Sequence, residues 1–223
     1  MIITVGGIKG GSGKSTVATN LAVLRAQAGR DLLLVDADDQ ETASDFTVLR
    51  NERLPGGAGF TSIKLTGAAV RTEVRRLADK YDDIVIDTGG RDTSSQRAAL
   101  SVSDVVLVPF VPRSFDVWTL EKVSQLVAEM RTANPELAAY AFLNRADPRG
   151  QDNAGAEDVI RDTPGLTLIQ TSIGARKAFG NAAAQGLSVV ELKPQDSKAS
   201  EEVLILYRHL FDIKMISKLP AGT

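Results

Sequence analysis

Residues 2–24 constrain the fold more than any other stretch of the chain. An apolar, β-branched run at residues 2–5 meets a segment in which five of the eight residues 6–13 are glycine, and a helical spacing of Val17, Leu21 and Leu24 follows at once. Strand, glycine-rich turn and helix in that order read as the start of a β–α unit. Such a turn can bring several backbone N–H groups onto one point, and the helix behind it adds its dipole. Residues 9–16 are therefore a candidate cradle for a polyphosphate. Gly10, Gly11 and Gly13 supply the turn around Ser12. Lys14 has the charge and reach for the outer phosphates, and the Ser15 hydroxyl, with Thr16 beside it, suits a divalent cation.

The rest of the chain repeats the alternation. Short apolar runs at 32–35, 84–86, 105–108, 140–143 and 166–169 are separated by helix-period segments such as Val117, Leu120, Val123, Val127 and Met130, and Gly29 suits the end of the first helix. Runs without polar alternation predict strands covered on both faces. The expected fold is α/β: a doubly wound, mainly parallel sheet with helices on both faces, of the P-loop NTPase kind. The sequence reads as a single domain over 1–223, with loops at 54–59 and 146–155, a last helix near 200–211 and a frayed tail at 219–223.

Composition narrows the chemistry. With no cysteine in 223 residues, disulfides, zinc–thiolate sites and iron–sulfur clusters are excluded, and the chain reads as cytoplasmic. No basic leader precedes residues 1–5, and the longest apolar runs fall short of the roughly 20 residues of a spanning helix, so no stable membrane insertion is expected. A net charge of −2 leaves any contact with DNA to a local basic patch.

Carboxylates stand where such a fold turns toward its ligand. Asp36 and Asp38 follow the second apolar run and Asp87 ends the run at 84–86; the carboxyl ends of parallel strands face the ligand crevice. Asp82 and Asp83, at the entrance of that run, read as surface charges. Asn144 and Arg145 end the run at 140–143, and an amide can both donate to and accept from a base edge.

The loop carries Lys9 at its entrance and Ile8 where the ordinary phosphate-loop pattern has glycine. In this arrangement, Lys9-Gly10-Gly11-Ser12-Gly13-Lys14-Ser15, it resembles the deviant Walker A loop of the ParA/MinD/Soj ATPase superfamily, and the resemblance extends over nearly the whole chain. It implies ATP and Mg²⁺ as cofactors, with Lys9, Lys14 and Asp38 as catalytic residues. Lys9 would reach the partner's phosphates across a nucleotide-sandwich homodimer, and Asp38 would orient the attacking water. Ser15, Asp36 and Asp87 would serve the metal, Gly10 to Thr16 the phosphates, and Asn144 the adenine with Arg145 nearby. Asp39 and the pair Gly89-Gly90 stand where relatives have proline. The proline-containing segment from Val106 to Asp116, and the late segments 173–179 and 185–189, resemble the family's elements beside nucleotide and dimer.

What the resemblance implies for function is a short ParA-type partition ATPase without an N-terminal helix-turn-helix domain. Its ATP dimer would bind DNA non-specifically and associate with the nucleoid, and a ParB-like or other partner would stimulate hydrolysis. Lys198 is the foremost DNA candidate, with Arg176, Lys177 and Arg208, and further out Lys214 and Lys218, extending a patch. The alternatives are a MinD-like membrane-cycling ATPase, a positioner of protein cargo, or a small-molecule ligase on the same fold. The basic, apolar stretch 213–219 is short and runs into Pro220, which disfavours membrane docking. His209 and Trp118 read as ordinary helix residues.

Overall fold

The computed structural model describes residues 1–112, 117–147, 150 and 152–217. The tail at 219–223, Lys218 and residues 113–116 of the proline-containing segment lie outside the described residues, as does the side chain of Lys214. In chain order the elements are β1 (Ile2–Val5), α1 (Lys14–Gln27), β2 (Leu32–Ala37), α2 (Thr42–Arg53), β3 (Thr61–Lys64), α3 (Ala68–Leu77) and β4 (Asp83–Thr88). They continue with α4 (Ser94–Leu100), β5 (Val105–Phe110), α5 (Val117–Arg131), β6 (Ala138–Ala146), α6 (Asp152–Asp162), β7 (Thr167–Gly174), α7 (Lys177–Ala183) and α8 (Ser197–Ser217).

The strands form one seven-stranded sheet, ordered β3-β2-β4-β1-β5-β6-β7, in which every pairing is parallel. Alternate side chains of each strand enter different cores, as a pleat requires. Ile3, Leu32, Leu34, Val85, Leu107 and Phe142 pack with α1, α7 and α8 on one face. On the other face Leu33, Val35, Ile84 and Ile86 meet α3 and α4, while Val106, Val108, Ala139 and Ala141 meet α5 and α6. Because helices cover both faces, the central strands read as continuous apolar runs. From the central β1 the chain first builds outward to one edge and then, through β5, to the other. The loops after β1 and β4 open at that switch point, where ligands bind in open α/β sheets.

Three expectations need correction. Strand β3, which escaped the sequence reading, is a partly exposed edge strand of sequence TSIK, too polar to announce itself. Helix α6 begins at Asp152, inside the stretch 146–155 read as a loop; it buries only Ala156 and Ile160, a stripe one turn wide. Asp83 is no surface charge. It is 4% exposed and its carboxylate accepts from Arg25 Nε at 2.6 Å, while Arg25 also donates to the Tyr207 hydroxyl and lies over the Phe211 ring. The Met1 amine is 3.1 Å from the same carboxylate. Strand β4, helix α1 and the terminal helix α8 are thus joined through one partly buried cation. Replacing Asp83 with Ala removes the carboxylate and leaves Arg25 with the Tyr207 hydroxyl and the Phe211 ring, a loss on the order of 2 kcal/mol; urea unfolding of the variant should show a lower midpoint with nucleotide affinity retained.

Candidate functional site

The loop between β1 and α1 is shaped by glycine and braced by side chains. Gly13 caps α1 in the left-handed region, at φ 88°, and a Cβ there would stand 2.4 Å from the amide nitrogen of Asn144. Only glycine meets both demands. Asn144 Nδ2 donates to the Ser12 carbonyl at 2.6 Å, and Arg145 Nη1 donates to the Gly11 carbonyl at 3.1 Å. Lys14, buried at the start of α1, donates from Nζ to the Lys9 carbonyl at 2.9 Å. Burial lowers the Lys14 pKa, and the carboxylates of Asp87 and Asp38 oppose that shift. Arg145 has φ 55°, a left-handed value rare outside glycine, and lies where the β6–β7 register slips between Asn144 and Ala146. That kink places Asn144 and Arg145 beside the loop.

The three predicted carboxylates occupy different environments. Asp36 is fully buried and its oxygens accept from the Asp38 amide and from both the amide and the hydroxyl of Ser44, so it clasps the start of α2. Asp38 lies in the cleft wall and accepts from the Gln40 amide at 3.2 Å. Asp87 is also fully buried, yet neither of its oxygens has a hydrogen-bond partner of good geometry. Burial pushes its carboxyl up to about 7; Asp36 and Asp38 add to the rise, and the neighbouring Ser15 and Lys14 oppose it. A buried, orphaned carboxylate beside a loop hydroxyl fits a divalent cation, with Asp87 and Ser15 as the side chains to serve it.

The proline-to-glycine departure has a steric account. A Cβ on Gly89 would stand 3.1 Å from Asp38 Oδ1, and one on Gly90 would stand 2.6 Å from Gly10 Cα and N. The β4–α4 loop is thereby docked against the phosphate loop at a closeness only glycine permits.

Two clefts meet over the loop. The first, about 760 Å³, is lined by Gly10, Gly11, Gly13, Lys14, Ser15, Thr16, Asp38, Gly89, Gly90 and Arg91, among others. The second, about 530 Å³, runs past Asn144 and Arg145 to Ile173, Arg176 and Phe179, and is bounded by Val203 of α8. They share Gly13, Thr16 and Arg145. A polar compartment rich in glycine and charge, continuous with a more apolar one, matches the two ends of a nucleoside triphosphate.

Comparison with known proteins agrees with that geometry. Residues 3–189 match the CobQ/CobB/MinD/ParA nucleotide binding domain. The chain belongs to that family. It is accordingly a nucleotide-binding ATPase of the ParA/MinD kind. Among its relatives is the maintenance of carboxysome distribution protein A of Gloeobacter kilaueensis, 32% identical over 196 residues that cover 86% of this chain and 85% of that one. The protein of the same name from Halothiobacillus neapolitanus is 25% identical over 202 residues, covering 90% and 92%. The fold is also that of a plasmid partition protein from Borrelia burgdorferi, with a TM-score of 0.69 at 20% identity over 95% of this chain and 97% of the other.

Seen as a ParA/MinD-type site, the arrangement brings Lys9, Lys14, Ser15, Asp38 and Asp87 to one end of the sheet. Arg176 departs from its expectation. Its guanidinium is held by Glu202 of α8 (Nε–Oε2 3.0 Å, Nη2–Oε1 2.5 Å) inside the second cleft, so its charge is matched. Lys177, Lys198 and Arg208 are exposed. Phe179 lines the second cleft from within the segment 173–179 expected beside the nucleotide, whereas sequence reasoning missed Glu202 and Arg91, and also Asn20 of α1. The Asn20 amide donates to the Thr16 carbonyl, and its oxygen accepts from the Ser188 hydroxyl and the Val189 amide.

The Asp87 carboxyl makes metal-free stability depend on pH. Its folded pKa, about 7, lies above the unfolded value of about 3.9, so its contribution is complete below about pH 4 and is lost as pH rises through about 7. Asp87→Asn removes that loss. Urea midpoints in chelator should therefore favour the variant over the native protein by more at pH 8 than at pH 5.5.

Proposed function

We propose that this chain is a positioning ATPase of the ParA type, whose ATP-bound homodimer binds DNA non-specifically and whose hydrolysis, stimulated by a partner protein, releases it. The observation that carries the reading is the pair of lysines on one loop. Lys14 is buried and turned back into its own cradle, while Lys9 lies at the partly exposed entrance of that loop. A second cation at the rim suits a nucleotide bound by a facing protomer better than one bound at home.

Bound with Mg²⁺, ATP supplies the phosphoanhydride to be cleaved. The residues of this chain bind, orient and neutralise. The loop amides and Lys14 hold the polyphosphate, Ser15 and Asp87 serve the cation, and Asp38 orients water at the far end of the cleft. Thr16 and Arg145 span the junction with the nucleoside compartment, where Phe179 offers an apolar wall. Asp36 acts one step removed, by fixing the turn that presents Asp38. Asn144, with its amide on the Ser12 carbonyl, serves the loop before it serves any base.

The DNA face is read along α8. Lys198 and Arg208 are both exposed there, ten residues apart, which is about 15 Å along a helix. Lys177 opens α7 and is also exposed; Arg176, matched by Glu202, drops out of this patch. Over residues 197–211, whose side chains are described, the exposed face of α8 carries Glu201, Ile205 and His209 among those cations, a polar stretch with one apolar residue, which favours nucleic acid over lipid there. Among the described residues no helix is long and apolar enough to cross a membrane.

The names of two relatives, both for carboxysome distribution, favour a second reading of the cargo: a protein body in place of a plasmid or chromosome. The ATPase cycle is the same in both.

Duplex DNA binding at fixed modest salt, with Mg-ATP, Mg-ADP or no nucleotide, tests the proposal. Binding only with ATP is expected, lost in Lys9→Ala and weakened in Lys198→Ala, with the latter lowering the salt dependence by about one phosphate contact. Equal binding in all three nucleotide states, or none in any, contradicts it.

A further inference from the structure

The β4–α4 loop brings to the phosphate cleft a cation that the motifs do not contain. Arg91 follows Gly89 and Gly90, the two residues docked against Asp38 and the Gly10 backbone, and it lines the cleft with Lys14, Ser15 and Asp38. Immediately after it, Asp92 is clamped by Arg97, with Nε–Oδ1 at 2.7 Å and Nη2–Oδ2 at 2.6 Å. Arg97 also reaches Glu129 on α5 at 2.8 Å. The loop is therefore anchored on both sides of Arg91, by close glycine packing before it and by a bidentate ion pair after it.

That same ion pair takes away the carboxylate nearest to Arg91 in sequence. Arg91 is exposed and makes no hydrogen bond or ion pair with any described residue. It is an uncompensated cation on an anchored loop, and the wall it joins already holds a buried lysine above a glycine cradle. A guanidinium in that setting has one obvious anionic complement, a phosphate oxygen.

The two clefts fix which phosphate. The nucleoside compartment shares Gly13, Thr16 and Arg145 with the phosphate compartment but shares none of Asp38, Gly89, Gly90 and Arg91. Arg145 thus stands at the near end of a bound nucleotide and Arg91 at the far end, beside Asp38. We infer that Arg91 contacts the terminal phosphate of ATP, and so distinguishes ATP from ADP within a single protomer.

This inference rests on the nucleotide reading of the clefts and goes beyond it by assigning the discrimination to a residue outside the phosphate loop. Arg91 also lines an outer groove of about 330 Å³ with Lys122, Gln125 and Glu129. An acidic segment of a partner, bound in that groove, would compete for the same guanidinium.

Calorimetric titration of the full chain with Mg²⁺ and either a non-hydrolysable ATP analogue or ADP separates these outcomes. Arg91→Ala should weaken the triphosphate by on the order of tenfold and leave ADP within about twofold, the loss of one charge-assisted contact. Arg91→Lys, which keeps the charge without the fork, should fall between. Unchanged affinity for both nucleotides, equal loss of both, or an effect confined to partner-stimulated hydrolysis overturns the inference. Lys14→Ala keeps the two failures apart: if it binds both nucleotides normally, the cleft itself has been misread, whereas loss of both in Lys14→Ala beside a normal Arg91→Ala removes only the role of Arg91.

Discussion

The nucleotide site depends on how the carbonyl groups of one glycine-rich loop are held. A loop with this much glycine has little conformational preference of its own. Here the carbonyls of Lys9, Gly11 and Ser12 are each taken by a side chain, from Lys14, Arg145 and Asn144 in turn. Peptide planarity then points the N–H groups of Ser12 and Gly13 away from Arg145 and Asn144. The order that a phosphate finds on arrival is built in advance, by Lys14 from within the loop and by Asn144 and Arg145 from more than 130 positions away in sequence. Gly90, pressed on the Gly10 backbone, closes the remaining side.

The same helix that starts at the loop is tied to the C-terminal part of the chain. Asn20 joins the Thr16 carbonyl to Ser188 and Val189, and Ser188 shares a capping box with Glu191. Glu191 in turn pairs bidentately with Arg50, a buried side chain of α2 that also donates to the carbonyls of Ala58 and Gly186. Gly186 sits so close to the α2 backbone that a Cβ would stand 2.5 Å from the Arg50 nitrogen. Arg176 and Glu202 add a second tie, from the nucleoside cleft to α8. The clefts and the helix that carries the proposed DNA contacts are thus parts of one packed unit, and neither can shift far without the other.

Much of this was legible in the sequence, for identifiable reasons. Central strands covered on both faces must be apolar throughout, so β1, β2, β4, β5 and β6 stood out, whereas the edge strand β3, with half its side chains in water, did not. The phosphate loop, Asp38 and Asp87 were legible because motif and strand-end position coincide. Asp83 was misjudged because its partner Arg25 lies 58 residues away and nothing local signals burial. Asn144 and Arg176 were recognisable as site residues but not in their partners: an amide suited to a base edge equally suits a loop carbonyl, and an arginine suited to DNA equally suits Glu202. Arg91 gave no signal at all, since its place depends on the two glycines that dock its loop.

The bracing of the loop by Asn144 is open to a direct measurement, the binding of inorganic tripolyphosphate with Mg²⁺ to the native protein and to Asn144→Ala. Tripolyphosphate has no base. If the Asn144 amide holds the phosphate loop in shape, the variant should bind tripolyphosphate and ATP more weakly by a similar factor, roughly tenfold for one buried hydrogen bond lost. If tripolyphosphate binds the variant as tightly as the native protein while ATP alone is weakened, Asn144 reads the base and the loop holds its own shape.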